Sequence, residues 1–416
     1  MTNTTLDGGP GHVVNDARVN PRTGRPAGFA ELALLLAGSC LSVLGAVLLA
    51  PVLPAMSEEF ADVPGAEALV PLTLTLPALF IALLAPVAGR LVDKLGRKRV
   101  LIVALLGYAV VGTAPLWLDT LAGILASRAL VGIAEAFIMT CCTASIADYF
   151  LGGRRVRYLG MQAVVTTGAA TIFLALGGLL GASGWRAPFW LYTVSAVIAL
   201  GVIVVIWPIR QTDDGRERNA EKLAPMRWRP LILPIVVSTA AGVIFYTLIV
   251  ELSYVLAAHG VTSTATLGGL AAISSLATAI GSFLFHWVTA LGARVLLAAS
   301  LALAGIGYVV IMVAGAVPLV MAGAVIAGFG GGLLLPTLIT WAISGLPYEL
   351  RGRATGAWTS SIFFGEFLCP LIVAALTAAT GSLGTAVGIV GVAALVIAAL
   401  IAVLMRSPRP LVSETL

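Results

Sequence analysis

The chain of 416 residues is 59% hydrophobic and 10% charged, with a formal net charge of +5 and a mean hydropathy of +1.04. Soluble domains carry about 25% charged residues, so a water-soluble globule is excluded. At about 20 residues per crossing, the length supplies a dozen membrane helices with short turns and leaves no room for a large soluble domain.

Residues 1–30 are rich in Gly, Pro, Asn and Thr and lack the compact apolar core of a cleaved signal peptide, so they read as a flexible cytoplasmic tail. Apolar runs bounded by charge or by Gly and Pro follow near 31–56, 68–91, 99–117, 120–147, 158–183 and 187–209. The polar stretch 210–229 reads as a cytoplasmic linker, and six more runs lie near 230–257, 265–289, 293–313, 317–345, 354–380 and 383–405. Residues 406–416 form a second cytoplasmic tail. The expected architecture is an all-α integral membrane protein, with one six-helix bundle over 31–209 and a second over 230–405.

Charge sets the orientation. With the N-terminus in the cytoplasm, every Lys and Arg except Arg128 and Arg186 falls in a tail, in the linker or in a turn on that side. The opposite turns hold Glu58, Glu59, Asp62, Glu67 and Asp119, so both termini are expected to be cytoplasmic. The basic excess therefore serves topology and not nucleic acid. Arg outnumbers Lys 21 to 3, as in a bacterium with a GC-rich genome, and the expected location is the bacterial cytoplasmic membrane.

Several chemistries find no residues to carry them. Cys40, Cys141, Cys142 and Cys369 lie inside apolar runs, and His12, His259 and His286 are scattered, so disulfides, a metal site and metal-dependent hydrolysis are not expected. No phosphate-cradling Gly-x-x-x-x-Gly-Lys-Ser/Thr loop is present, which leaves an ion or substrate gradient as the driving force and no cofactor. All four Asn and all three Lys lie outside the spans, so the amide ligands that a sugar site would need are scarce.

A shift of 196 residues superposes Gly96 on Gly292, Gly132 on Gly328, Arg157 on Arg353, Gly160 on Gly356 and Leu95 on Leu291. Agreement on one offset across separate loops and spans points to two parallel halves. The turn between spans two and three reads Gly89-Arg90-Leu91-Val92-Asp93-Lys94-Leu95-Gly96-Arg97-Lys98-Arg99. Gly89 would let helices approach, Gly96 would allow a tight turn, Asp93 would stabilise a helix N-terminus, and the basic cluster would meet lipid phosphates.

This loop resembles the signature loop of the major facilitator superfamily, and a weakened second copy at His286 to Arg294 has Thr289 opposite Asp93. The resemblance implies twelve helices in two pseudo-symmetric bundles, which rock about a midplane cavity. It also implies a conformational latch on the cytoplasmic side, formed by Gly89, Asp93, Gly96 and Arg97. Its acid would dock near Arg353 and Ala354, with Asp148 as another partner. In span four, Leu125-x-x-Arg128-x-x-x-Gly132 resembles a second signature, that of the proton-coupled drug antiporters. In span five Phe173-Leu174 stands where those antiporters carry a Gly-Pro pair, ahead of Gly177-Gly178.

Ionisable residues inside the spans are the candidate machinery. Arg128 and Glu135, seven residues apart, share a helix face about 10 Å apart along the axis. They form either a partly coupled acid/base pair or a structural unit in which Arg128 satisfies backbone carbonyls and Glu135 neutralises it. Glu366 lies about 18 Å of helix rise from the cytoplasmic start of span eleven, near the midplane, where a carboxyl can take a proton in one state and release it in another. Glu251, late in span seven with Tyr246 and Tyr254 nearby, is a candidate gate or cation-attracting group. The glycines of spans five and ten, Gly168, Gly177, Gly178 and Gly181 and then Gly328, Gly330, Gly331 and Gly332, read as sites of helix packing.

The expected function is proton-coupled secondary transport of a small amphipathic organic compound, as efflux. Protons and membrane lipids would be the other partners, and a monomer would suffice. The alternatives are proton-linked uptake of an organic anion or metal-chelating metabolite, with Arg128 drawing the anionic group, and a non-transporting membrane sensor. A membrane enzyme would need convergent catalytic groups that the sequence does not supply.

Overall fold

The computed structural model describes residues 13–405 apart from 15, 22, 209–227, 345 and 347. An apolar chain in a bilayer must satisfy every backbone N–H and C=O internally, and nearly all of the described chain is helix. The first half comprises α1 (Phe29–Glu59), α2 (Ala66–Leu95), α3 (Arg97–Leu116), α4 (Leu121–Tyr149), α5 (Gly152–Gly181) and α6 (Ala187–Val205). The second comprises α7 (Arg229–Ala258), α8 (Thr264–Val288), α9 (Gly292–Met312), α10 (Val317–Ile343), α11 (Tyr348–Thr380) and α12 (Leu383–Leu404). Among the described residues eleven stretches are long and apolar enough to cross a membrane, and one of them, Thr264–Met312, has 49 residues. A single helix of that length would run about 70 Å, more than twice the hydrocarbon core. The 3-10 turn Thr289–Leu291 divides it into α8 and α9, which makes twelve crossings.

Several helices outrun the apolar runs that announce them. Helix α2 continues through Arg90 and Lys94 to Leu95, and α11 begins at Tyr348, because a helical backbone stays hydrogen-bonded while its charged ends reach the interface. Side-chain caps start α4, α8 and α12: Thr120, Ser263 and Ser382 accept from the N–H groups of Gly123, Thr266 and Thr385. Most of the linker expected over 210–229, residues 1–12 and residues 406–416 lie outside the described residues.

The tail expected to be flexible is folded where it is described. Val13–Val14 pairs with Ala17–Arg18, Ala17 is buried and bridges to Phe150, and the Leu151 N–H donates to the Asp16 carbonyl at 2.8 Å. The turn between α4 and α5 leaves backbone groups without helical partners, and this segment supplies them.

The two halves are built alike. Gly96 and Gly292 both take positive φ, +92° and +76°, at the turns that follow α2 and α8. At the matched pair Gly132 and Gly328, α4 meets the backbone of α2 and α10 meets the backbone of α8. A Cβ at these glycines would lie 2.4 Å from the Pro77 carbonyl oxygen and 2.6 Å from that of Ser274. Across the halves α2 packs on α11 and α5 on α8, an exchange expected of a pseudo-twofold axis. Gly177, Gly178, Gly181, Gly328, Gly330, Gly331 and Gly332 all sit at close helix contacts, whereas Gly168 and Gly89 face open space. The close approach expected at Gly89 is therefore not made: the packed positions of this part of α2 are Ala88 and Val92, and Gly89 lies off that face.

Gly132→Val drives a side chain into the Pro77 backbone, and overpacking of this kind costs about 1–3 kcal/mol. Its thermal unfolding midpoint in detergent should fall clearly below wild type, while Gly168→Ala should match it. Equal midpoints for all three proteins would contradict the α2–α4 contact.

Candidate functional site

A cavity of about 450 Å³ lies between the halves. Its walls are apolar side chains, the hydroxyls of serines and threonines and the amide of Gln162, and Glu366 is its sole carboxylate or basic group among the described residues. Gln162 is the one amide inside a span, a signal that the positions of Asn and Lys do not carry. Its Nε2 donates to Ser39 Oγ at 2.7 Å and to Thr143 Oγ1 at 3.0 Å, joining α5 to α1 and α4.

One end of the bundle carries the basic turns and the other the acidic ones. The cavity runs from the midplane toward the basic end, where Thr143, Leu159 and Ser282 line it. At the acidic end the halves touch. The Tyr254 and Ser57 hydroxyls are hydrogen-bonded at 2.8 Å, and a Cβ at Gly178 would lie 2.6 Å from the Cα of Gly268. Tyr246 donates to the Ala46 carbonyl at 2.5 Å, a further bond between halves, and it also lines the cavity.

Helix α1 is interrupted beside this contact. Its regular helix stops at Val47, and a 3-10 turn, Ala50–Val52, carries Pro51, which has no N–H to offer the Val47 carbonyl. Among the described residues no backbone N–H is bonded to the Gly45 carbonyl. Arg128 approaches it instead, with Nη2 at 3.4 Å, while its Nε donates to the Thr73 carbonyl of α2 at 3.0 Å. The guanidinium is fully buried, 5.1 Å from the centroid of the Tyr192 ring. A charge at this depth is tolerable because carbonyls and a π face surround it.

Glu135 packs on the same turn of α1. A Cβ at Gly45 would lie 1.7 Å from Glu135 Oε1, so only glycine leaves room for the carboxyl. Tyr108 on α3 donates to the Leu41 carbonyl at 2.6 Å and stands 3.1 Å from Glu135 Oε1, with its ring against Tyr192 at a centroid distance of 5.0 Å. Neither tyrosine was foreseen from the sequence, where each is one aromatic among many in apolar runs.

The structure thus separates the candidate residues. Glu366 and Tyr246 face the cavity, while Arg128, Glu135, Glu251 and Tyr254 are not among its lining residues. Arg128 is turned away, with Nε and Nη2 directed at the carbonyls of α2 and α1 and Nη1 buried without a hydrogen-bond partner among the described residues. Among the described residues no ion pair within 4.0 Å joins it to Glu135, although both side chains meet α1 at Gly45. Glu251 is buried on α7 toward the acidic end, one turn before Tyr254. At the basic end Arg97 pairs with Asp93 at 3.1 Å and with Asp148, and it donates to the Ala144 carbonyl at 2.8 Å. The loop that contains Asp93 and Gly96 is thereby tied to α4.

Gly45→Ala forces the Glu135 carboxyl out of its place, at a cost of about 1–3 kcal/mol for overpacking. The unfolding midpoint should drop, and the double variant Gly45→Ala/Glu135→Ala should recover most of the loss. A double variant as unstable as Gly45→Ala alone would show that the clash lies elsewhere.

A sequence model of the Major Facilitator Superfamily matches residues 35–262 and 235–415. A tetracycline resistance protein, class H, of Pasteurella multocida is 30% identical over 189 residues, which is 45% of this chain and 47% of that protein. Multidrug resistance protein 1 of Bacillus subtilis is 29% identical over 211 residues, 49% of this chain and 51% of that one. The chain spans about half the length of the curated relatives it matches. Among solved structures, the human organic anion transporter MFSD10 (TETRAN) aligns with a TM-score of 0.67 at 18% identity, over 89% of this chain and 99% of that chain. A bacterial homolog of the human lysosomal transporter Spinster aligns at 0.70 and 15% identity, over 90% and 94%. At these identities the two structures establish the fold, and the family match over nearly the whole length makes this chain a member of the Major Facilitator Superfamily.

Proposed function

We propose that the protein is a proton-coupled secondary transporter that exports small amphipathic organic compounds by alternating access, with its basic end in the cytoplasm of a bacterium. The observation that carries this reading is a single carboxyl, Glu366, in an otherwise uncharged cavity. Apolar walls and scattered hydroxyls suit a mostly hydrophobic molecule with a few polar groups. In such a low-dielectric site a carboxylate needs either a proton or a cationic partner, so binding of one displaces the other. The curated relatives are named for tetracycline and multidrug resistance, which supports export.

Glu135 is the candidate second proton carrier. It is sealed from the cavity, and the Arg128 cluster holds it against α1. The acidic-end contacts of Tyr246 and Tyr254 are the gate that must part for outward opening, with Glu251 buried behind it. The group of Asp93, Gly96, Arg97 and Asp148 is the latch that keeps the basic end of the first half rigid as it rocks. One chain encloses the whole cavity, which supports function as a monomer. Uptake of an organic anion would need a cation in the cavity, and the commitment of Arg128 to the carbonyls of Thr73 and Gly45 speaks against it.

Everted vesicles energised to an acid interior test the proposal with tetracycline and a lipophilic cationic dye as probes. Wild type should concentrate one or both, and Glu366→Gln should abolish concentration while retaining wild-type expression and thermal stability. Undiminished accumulation by Glu366→Gln would remove Glu366 from the mechanism. Accumulation of organic anions alone would overturn the substrate class.

A further inference from the structure

Tyr108 is fully buried outside the cavity, and the exchange scheme above gives it no task. Its hydroxyl oxygen lies 2.6 Å from the Leu41 carbonyl oxygen and 3.1 Å from Glu135 Oε1. A phenol has one hydrogen and a carbonyl has none, so the two contacts compete for it. When Glu135 is ionised, the carboxylate is the stronger acceptor and draws the hydrogen toward itself. When Glu135 is protonated, the acid can donate to the phenol oxygen, and the phenol hydrogen is free for Leu41. The shorter contact in the structure is the one to Leu41.

Leu41 sits one helical turn before Gly45, on the part of α1 that ends at the interruption. Gly45 lies against the Glu135 carboxyl, and its carbonyl is held by Arg128. The next carbonyl, that of Ala46, accepts from Tyr246 of the other half. The acid, the end of the regular helix and the bond between halves therefore fall within about two turns of one backbone. We propose that Tyr108 is a positioning residue that relays the protonation state of Glu135 to the interrupted segment of α1, and through the Ala46–Tyr246 bond to the contact between the halves. The proposal rests on the reading of Glu135 as a proton carrier.

The groups that face Glu135 are few. Arg128 is on its own helix, Tyr108 on α3, Tyr192 at the start of α6, Tyr246 on α7 and Glu366 on α11. Helix α1 presents Gly45 to it, and the α2 residue packed on α4 at Gly132 is Pro77. When the phenol hydrogen leaves Leu41, the turn from Leu41 to Gly45 loses its tie to α3. The Ala46 carbonyl then shifts relative to the Tyr246 hydroxyl, and the halves are freer to part.

The test uses the full chain in lipid nanodiscs with spin labels at V156C and W287C, two exposed positions near the basic ends of α5 and α8. The background carries Cys40→Ser, since the other cysteines are buried. Electron–electron distance distributions are recorded from acid to alkaline pH, and the infrared carboxyl band that Glu135→Gln removes is followed in parallel. In wild type both should change with pH, and Glu135→Gln should remove part of the distance change. Tyr108→Phe, which keeps the ring packed on Tyr192, should leave the Glu135 band titrating but lose that same part of the distance change. Tyr108→Phe/Glu135→Gln should lose no more than Glu135→Gln alone. A Tyr108→Phe distance response equal to that of wild type, or losses that add in the double variant, would overturn the relay while leaving Glu135 a proton carrier. A wild-type Glu135 band that does not respond to pH would overturn the carrier reading and the relay with it.

Discussion

A membrane interior offers no water to a backbone carbonyl that has lost its helical partner, and that constraint organises the centre of this protein. Helix α1 stops being regular at Val47, next to the cavity. The carbonyls around the interruption are met by side chains from three other helices: Tyr108 at Leu41, Arg128 at Gly45 and Tyr246 at Ala46. A wholly buried guanidinium would be costly in an apolar bundle. Here it serves carbonyl groups on two helices at once, and the glycine at 45 lets an acid approach the same turn.

The duplicated scaffold is symmetric where it packs and asymmetric where it carries charge. Gly132 and Gly328 bring equivalent helices into backbone contact, and Gly96 and Gly292 turn the chain at equivalent places. The offset that aligns them puts Ala324 opposite Arg128, Gly331 opposite Glu135 and Ala170 opposite Glu366. Each half therefore holds a different ionisable group: the first seals Glu135 within the bundle, and the second presents Glu366 to the cavity. Two carboxyls in different surroundings can exchange protons at different stages of a cycle, which two equivalent ones could not do as readily.

Much of the fold was legible in the sequence because apolar length and charge-bounded turns report directly on a bilayer. The twelve spans and the 196-residue repeat are examples. The site was legible only in part. Spacing puts Arg128 and Glu135 on one face of α4, but helical periodicity does not say which neighbour that face meets. Both side chains meet α1, and neither reaches the cavity. Tyr108 and Tyr192 carry no local signal that sets them apart from interfacial or core aromatics; their place beside Arg128 and Glu135 is visible only once α3 is packed on α4 and α6 on α3. The opposite failure occurred in the first tail, whose loop-like composition hides a segment tied at Asp16 and Ala17 by backbone bonds to the α4–α5 turn.

The central claim is that substrate and proton compete for a carboxyl in a dry cavity. Direct measurement of proton release tests it: purified protein in weakly buffered detergent solution, with a pH-indicator dye, is mixed with a lipophilic cation that it binds. The account predicts that binding expels protons into solution, with a yield that falls as rising pH leaves the protein already deprotonated. Binding without proton release at every pH would contradict it.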